Sequence, residues 1–299
     1  MRALLRHSLA LVAGAVLLGG CSTGGTPAAT KGPSAGSPSA HTSHSAPKAA
    51  PAAPARPWNV HPASVAALGD SITRGFDACK PLLDCPEVSW ATGSRGSVGS
   101  VASRVTKGGT WNLAQTGARV RDLPGQAKEA AAHKPAMVTI LIGANDACRS
   151  STAAMTSVAD FRADFAKTLS YLHRTLPATQ VLVASVPDLQ HLWSVGRGNP
   201  LAQQLWKLGL CPSMLDDPSS DTPAARSRRA AVRERVVAYN AAMGAQCARY
   251  VRCRYDGGAV FRYAFTSGQL SSWDWFHPNP QGQHELATLL AGVASRPPE

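Results

Sequence analysis

Three short apolar runs, at residues 65–68, 137–142 and 181–186, are separated by longer stretches with helical periodicity, and this spacing constrains the fold more than any other feature of the chain. The second and third runs are rich in β-branched residues, which reads as strands buried on both faces. Weaker strand candidates lie at 111–114 and 251–255. Before the 181–186 run, Val158, Phe161, Phe165, Leu169, Leu172 and Leu176 recur at three- and four-residue spacing. That is the apolar stripe of a helix, which Pro177 ends. Residues 119–133, 225–250 and 281–294 also read as helices. Strands alternating with helices imply an α/β domain with a central parallel sheet and helices on both faces. Such sheets bind ligands beyond the carboxyl ends of their strands.

The first part of the chain has a different character. Arg2, Arg6 and His7 precede an apolar stretch at 9–18, which is too short to span a membrane, and Leu18-Gly19-Gly20-Cys21 follows. Residues 1–21 therefore read as an export signal. Small residues before a lone cysteine resemble the lipobox of bacterial lipoproteins, in which that cysteine is lipidated and becomes the mature N-terminus. Arg2 and Arg6 are not adjacent, so a twin-arginine signal is not indicated. Residues 22–57 are almost entirely Ser, Thr, Pro, Ala, Gly, Lys and His, and are expected to form a disordered tether. His41 and His44 in that tract read as solvated side chains. Residues 58–299 have the length of one α/β domain.

The chain carries a net charge of +12; five basic residues and no acid precede Trp58, so +7 remains on the domain. Arg226, Arg228, Arg229, Arg233 and Arg235 cluster on a predicted helix, but no aromatic-rich nucleic-acid module accompanies them, and nucleic acid is not expected as a partner. Without Cys21, six cysteines remain, which in an exported chain argues for disulfides over metal ligands. Cys79 with Cys85 and Cys247 with Cys253 would each close a short loop, leaving Cys148 for Cys211. Residues 187–224 interrupt the alternation with Trp193, Pro200, Trp206, Gly209, Pro212 and Pro218 and little period. A long excursion from the end of a strand reads as a binding loop or lid, with an inert ornament pinned by Cys211 as the alternative.

Two of the strand runs end in short polar motifs. Gly69-Asp70-Ser71 follows the first and Gly143-Ala144-Asn145-Asp146 follows the second, while Asp274-Trp275-Phe276-His277 sits in a loop before the last helix. A serine hydroxyl needs a base within hydrogen-bond reach and a third group to orient that base. Taken alone, Gly69-Asp70-Ser71 reads first as an ordinary turn with Ser71 as a helix N-cap. Of the nine histidines, His277 and His191 each follow an aspartate by three residues, Asp274 and Asp188. His277 is the preferred base, because Pro278, Asn279 and Pro280 hold it in an extended loop. Asp274, or a backbone carbonyl in its place, would orient it. Asn145, the backbone N–H of Ser71 and that of Gly117 are candidate donors to an oxyanion. Trp273 and Trp275 flank Asp274 and either line an acyl groove or pack the loop.

Gly69-Asp70-Ser71, Gly117, Gly143-x-Asn145-Asp146 and Asp274-x-x-His277 together resemble the four blocks of the SGNH (GDSL) esterase and lipase family, in that family's order. The resemblance spans residues 65–290. It implies a flavodoxin-like three-layer α/β/α sandwich and ester hydrolysis through an acyl-enzyme. By position it implies Ser71 as nucleophile, His277 as base, Asp274 as its orienting acid, and Ser71, Gly117 and Asn145 as the oxyanion hole. It implies no metal and no organic cofactor. The cysteine layout and the excursion further resemble secreted actinobacterial members. The expected protein is a monomeric serine esterase or lipase, exported and held at the cell membrane through a lipid on Cys21, or secreted. Removal of acetyl groups from a polysaccharide is the alternative within the same chemistry. An envelope-binding lipoprotein without catalysis is the alternative outside it.

Overall fold

In the computed structural model, which describes residues 58–297, five strands form one sheet. They are β1 (Val65–Gly69), β2 (Thr110–Asn112), β3 (Met137–Leu141), β4 (Gln180–Val183) and β5 (Cys253–Tyr255). The predicted export signal, Cys21 and the tether lie outside the described residues. The strand order is β2-β1-β3-β4-β5, and every pairing is parallel. In register, Val65 faces Thr110 and Met137, Met137 faces Gln180, and Val181 faces Cys253. All of β1 and β3 is buried, as their apolar runs require.

The chain first steps from β1 outward to β2, then crosses back over β1 to β3 and continues the other way. Right-handed crossovers send helices of opposite steps to opposite faces of the sheet. The helices Leu123–His133, Val158–Thr175 and Pro223–Cys247 pack side by side as one layer. Val101–Val105 and Pro280–Ala294 pack on each other as the second. The result is the expected flavodoxin-like three-layer α/β/α sandwich. Inside the first layer Phe161 stacks on Tyr239 with ring centroids 4.0 Å apart. Within the same chain, no described helix is long and apolar enough to cross a membrane.

The strands and helices follow the sequence reading with informative departures. The run 181–186 stays buried throughout, but the ladder ends at Val183. Beyond it, Ser185 Oγ donates to Asp256 (2.7 Å) and the Val186 N–H donates to Asn240 (2.8 Å). Apolar character reports burial and not pairing. At β5 the exposed Val251 belongs to a turn, and the strand starts only at Cys253. The stretch 119–133 begins as a 3-10 turn, Val120–Asp122, before the helix.

The excursion 187–224, expected to be irregular, contains three helices: Leu189–Gly196, Pro200–Trp206 and Pro212–Leu215. Pro200 and Pro212 occupy the first turn of a helix, where a missing N–H costs nothing. Asn199 caps the second of these helices with its side-chain oxygen. Four of the five clustered arginines, Arg226, Arg228, Arg229 and Arg233, bond to this excursion, while Arg235 donates to Thr156 O at 2.7 Å. Arg229 is buried, lies 3.9 Å over the Trp193 ring and donates to Ser220 O at 2.7 Å. Arg233 pairs with Asp188 at 2.8 Å.

The three disulfides join Cys79 to Cys85, Cys148 to Cys211 and Cys247 to Cys253. The second spans 63 residues and the others six each. Loop-closure entropy then gives about 4 kcal/mol for Cys148–Cys211 and about 2 kcal/mol for either short loop. Denaturant titration of the Cys148→Ala/Cys211→Ala protein is expected to show the larger loss of stability than that of Cys247→Ala/Cys253→Ala; the opposite ranking would contradict this account.

Candidate active site

The carboxyl ends of β1 and β3 lie side by side where the strand order reverses, and two of the three motifs hang from them. β1 ends at Gly69, whose φ is +146° and where a Cβ would sit 2.3 Å from Leu141 O. Only glycine can end the strand there. Asp70 caps the short helix Ser71–Arg74, accepting the Ile72 N–H at 3.0 Å. The cap expected at Ser71 is supplied one residue earlier by Asp70, and Ser71 opens the helix with its hydroxyl left to meet His277. Gln126 grips the same turn, accepting the Gly69 N–H (2.8 Å) and donating to Gly69 O (2.9 Å). Sequence reasoning missed Gln126, whose only signal is a polar residue on the face of its helix that Leu123, Ala127 and Ala130 bury.

After β3, Asn145 lies in the helix Ala144–Ala147 and its amide donates one N–H to Ala118 O at 3.0 Å, leaving the other N–H to point elsewhere. Gly117 has φ +83°, a left-handed conformation suited to glycine, and open space where a side chain would be. The N–H groups of Ser71 and Gly117 are not consumed by other hydrogen bonds among the described residues. Asp146, quoted in the motif without a role, is buried and ties the two loops together. It accepts the Val120 N–H at 2.9 Å and the Thr156 hydroxyl at 2.7 Å. Burial pushes its carboxyl up to about 6 despite these bonds.

The third motif closes the arrangement. His277 Nε2 lies 2.8 Å from Ser71 Oγ, and His277 Nδ1 lies 2.5 Å from Asp274 Oδ2. The other oxygen of Asp274 accepts the N–H groups of Phe276 (2.8 Å) and His277 (2.9 Å), so the loop orients its own carboxylate. All three side chains are buried. Burial alone would favour neutral imidazole, but Asp274 beside it, with Asp70 and Asp77 nearby, raises His277 above its ordinary value. Burial likewise works against the Asp274 charge, yet His277 and the hydrogen bonds hold its carboxyl below the usual range. A hydroxyl beside a base with an oriented ring has the arrangement needed for nucleophilic attack on a carbonyl.

Two further carboxyls surround the imidazole. Asp70 is wholly buried with one oxygen unpartnered, and desolvation pushes it up to about 7. Asp77, which carried no sequence signal, offers an oxygen within 4.8 Å of the ligand atoms of Asp274 and His277. Burial, reinforced by Asp274, pushes it up to about 6. Asp77, Asp274 and His277 have the donor types of a metal site, but both ring nitrogens already face Ser71 and Asp274. A cation there would break the Nδ1 contact.

The structure separates the other candidates from this cluster. His191 lies in the helix Leu189–Gly196 with Nε2 2.8 Å from Phe265 O, and Asp188 caps that helix and does not meet the ring. His133 stacks on Trp111 at 4.7 Å, and His173 is exposed. Trp275 is half-buried and Trp273 is 46 % exposed. A cleft at the opposite end of the sheet, between Pro62, Lys134, Pro177 and Arg252, has no carboxylate or histidine in its lining.

The sequence profile of the family described as GDSL-like Lipase/Acylhydrolase matches residues 65–290. No curated protein matches the chain. Similar solved structures include phospholipase A1 from Streptomyces albidoflavus NA297, at 18% identity and TM-score 0.50 over 78% of this chain and 99% of that one. An extracellular lipase from Streptomyces rimosus matches at 18% identity and TM-score 0.44, over 77% and 99%. The acetyl xylan esterase AlAXEase matches at 13% identity and TM-score 0.48, over 77% and 98%. These identities describe a likeness of fold.

Two outcomes follow from the geometry. Ser71→Ala is expected to abolish turnover, whereas Asp274→Asn lowers it by roughly two to four orders of magnitude and leaves a residue of activity. Because the lost carboxylate is what raises His277, the imidazole of the variant sheds its proton at lower pH. The acid limb of its kcat/KM profile therefore moves to lower pH, and a limb that stays in place contradicts the assignment. His191→Ala leaves turnover nearly intact in the same assay; a dead variant would overturn the choice of base.

Proposed function

This chain belongs to the GDSL-like lipase/acylhydrolase family, and from that premise we propose that it is a serine esterase acting on carboxylic esters of lipids through an acyl-enzyme on Ser71. The observation that carries the proposal is the line from Ser71 Oγ through His277 to Asp274, with contacts of 2.8 and 2.5 Å. In this reading Ser71 Oγ attacks the ester carbonyl carbon while His277 Nε2 takes the hydroxyl proton. The carbonyl oxygen, now negative, is held by the N–H groups of Ser71 and Gly117 and by the Asn145 amide. Collapse expels the alkoxide, which His277 protonates, and leaves the acyl group on Ser71. Water, deprotonated by the same imidazole, then releases the carboxylic acid and restores the serine.

Lipid esters are favoured over acetylated glycans because the side chains offered beside Asp274 are apolar: Trp273 is exposed and Trp275 half-exposed on either side of it. The predicted lipobox at Cys21 and the tether 22–57 support export and anchoring to the cell membrane. The three disulfides support an oxidising compartment, and with the excursion they are the basis for the proposed kinship with secreted actinobacterial members.

The first test is hydrolysis of p-nitrophenyl esters, from acetate to palmitate, by the purified protein and its Ser71→Ala variant. Turnover that the variant loses and that rises with acyl length is expected. Activity confined to acetate would shift the substrate to acetylated glycans. No turnover on any ester by a folded, oxidised protein would leave a binding lipoprotein.

A further inference from the structure

Leu82 and Leu83 are 78% and 55% exposed at the tip of the loop closed by Cys79–Cys85. Leu82 has φ +58°, a left-handed conformation that a branched, Cβ-bearing side chain adopts at a cost. The loop is nonetheless held firmly. The Leu82 N–H donates to the Asp77 carboxylate, and the Asp77 N–H donates to Leu83 O at 3.0 Å. A bulky apolar residue kept both strained and in water calls for an explanation outside the isolated chain.

The hydrogen bonds place this loop at the mouth of the active site. On one side, Asp77 O accepts the Ser271 hydroxyl (2.7 Å), which in turn accepts the N–H of the exposed Trp273 (3.1 Å), next to Asp274. On the other side, Asp84 accepts Arg74 Nε (2.9 Å) and the Thr116 hydroxyl (2.5 Å), one residue before Gly117. The loop thus runs from the acid of the triad to the oxyanion side. Its charges are unequal: Asp84 is paired with Arg74, whereas the exposed Lys80 enters no ion pair among the described residues.

We propose that the Cys79–Cys85 loop and Trp273 form an interfacial anchor that seats the mouth of the active site on an anionic phospholipid surface. Two leucines and a tryptophan beside one free ammonium are the complement of such a surface, with apolar tips among acyl chains and the cation among headgroups. They offer no hydrogen-bonding array to the hydroxyls of a glycan. They are also too few for a second copy, since three side chains of at most about 150–250 Å² each fall short of the roughly 800 Å² per partner of a stable interface. The anchor deepens the lipid-ester reading and rests on it: the scissile ester reaches Ser71 from the membrane plane without crossing water.

The test uses the full chain carrying Cys21→Ser, so that no acyl anchor contributes, and vesicles of phosphatidylglycerol with phosphatidylcholine or of phosphatidylcholine alone. Sedimentation is expected to show binding that Leu82→Ser/Leu83→Ser weakens by roughly tenfold or more, with p-nitrophenyl acetate turnover retained. Lys80→Gln is expected to weaken binding about fivefold on the anionic vesicles only. Absence of vesicle binding by the parent, or equal binding by the double leucine variant, overturns the proposal. So does a dimer in sedimentation equilibrium that the double variant dissolves. If the parent binds through Leu82 and Leu83 yet hydrolyses no ester, the anchor stands and the esterase reading falls.

Discussion

At the last rung shared by β1 and β3, Gly69 faces Leu141, and the two strands end together. A side chain on Gly69 would collide with Leu141 O, so the chain turns there into the Ser71 helix while β3 turns into the Asn145 helix. Ser71 and Asn145 are placed by the same piece of backbone pairing. Gln126 and Asp146 then fix the two turns against their neighbours through hydrogen bonds to main-chain atoms. The third motif needs no strand. Its carboxylate collects two N–H groups from its own loop, and Ser271, whose N–H donates to His277 O at 2.8 Å, closes it.

Much of this was legible in the sequence, for identifiable reasons. β1 and β3 announce themselves because central parallel strands are buried on both faces and read as unbroken apolar runs. The edge strands β2 and β5 are short and half-exposed, so their pattern is weak and their limits drift. Trp193, Trp206 and the prolines of the excursion suggested disorder of pattern, yet the tryptophans are core residues and Pro200 and Pro212 open helices. Ser71, Asn145, Asp274 and His277 were found because chemistry demands particular residue types at strand ends. Gln126 and Asp77 could not be found that way, since their roles depend on partners 57 and 197 positions away that only the fold brings near.

His277 sits among three carboxyls with different environments. Asp274 has a charged partner and two N–H donors, which keep it ionised. Asp70 and Asp77 have fewer compensating contacts and are pushed upward by burial. Negative charge is therefore concentrated where it faces Nδ1, while two adjoining carboxyls hold their protons more readily. A proton arriving on the imidazole would meet a field already aligned with the charge it brings, so little reorganisation would be needed.

Cys148 directly follows the helix that holds Asn145, and its bond to Cys211 is the covalent tie between that helix and the excursion. Ser213, two residues on, donates to Ala147 O at 2.6 Å across the same junction. A chain whose sulfurs are still reduced lacks that tie at the end of the helix bearing Asn145. The setting of Asn145 is thus completed by an oxidation and not by folding alone.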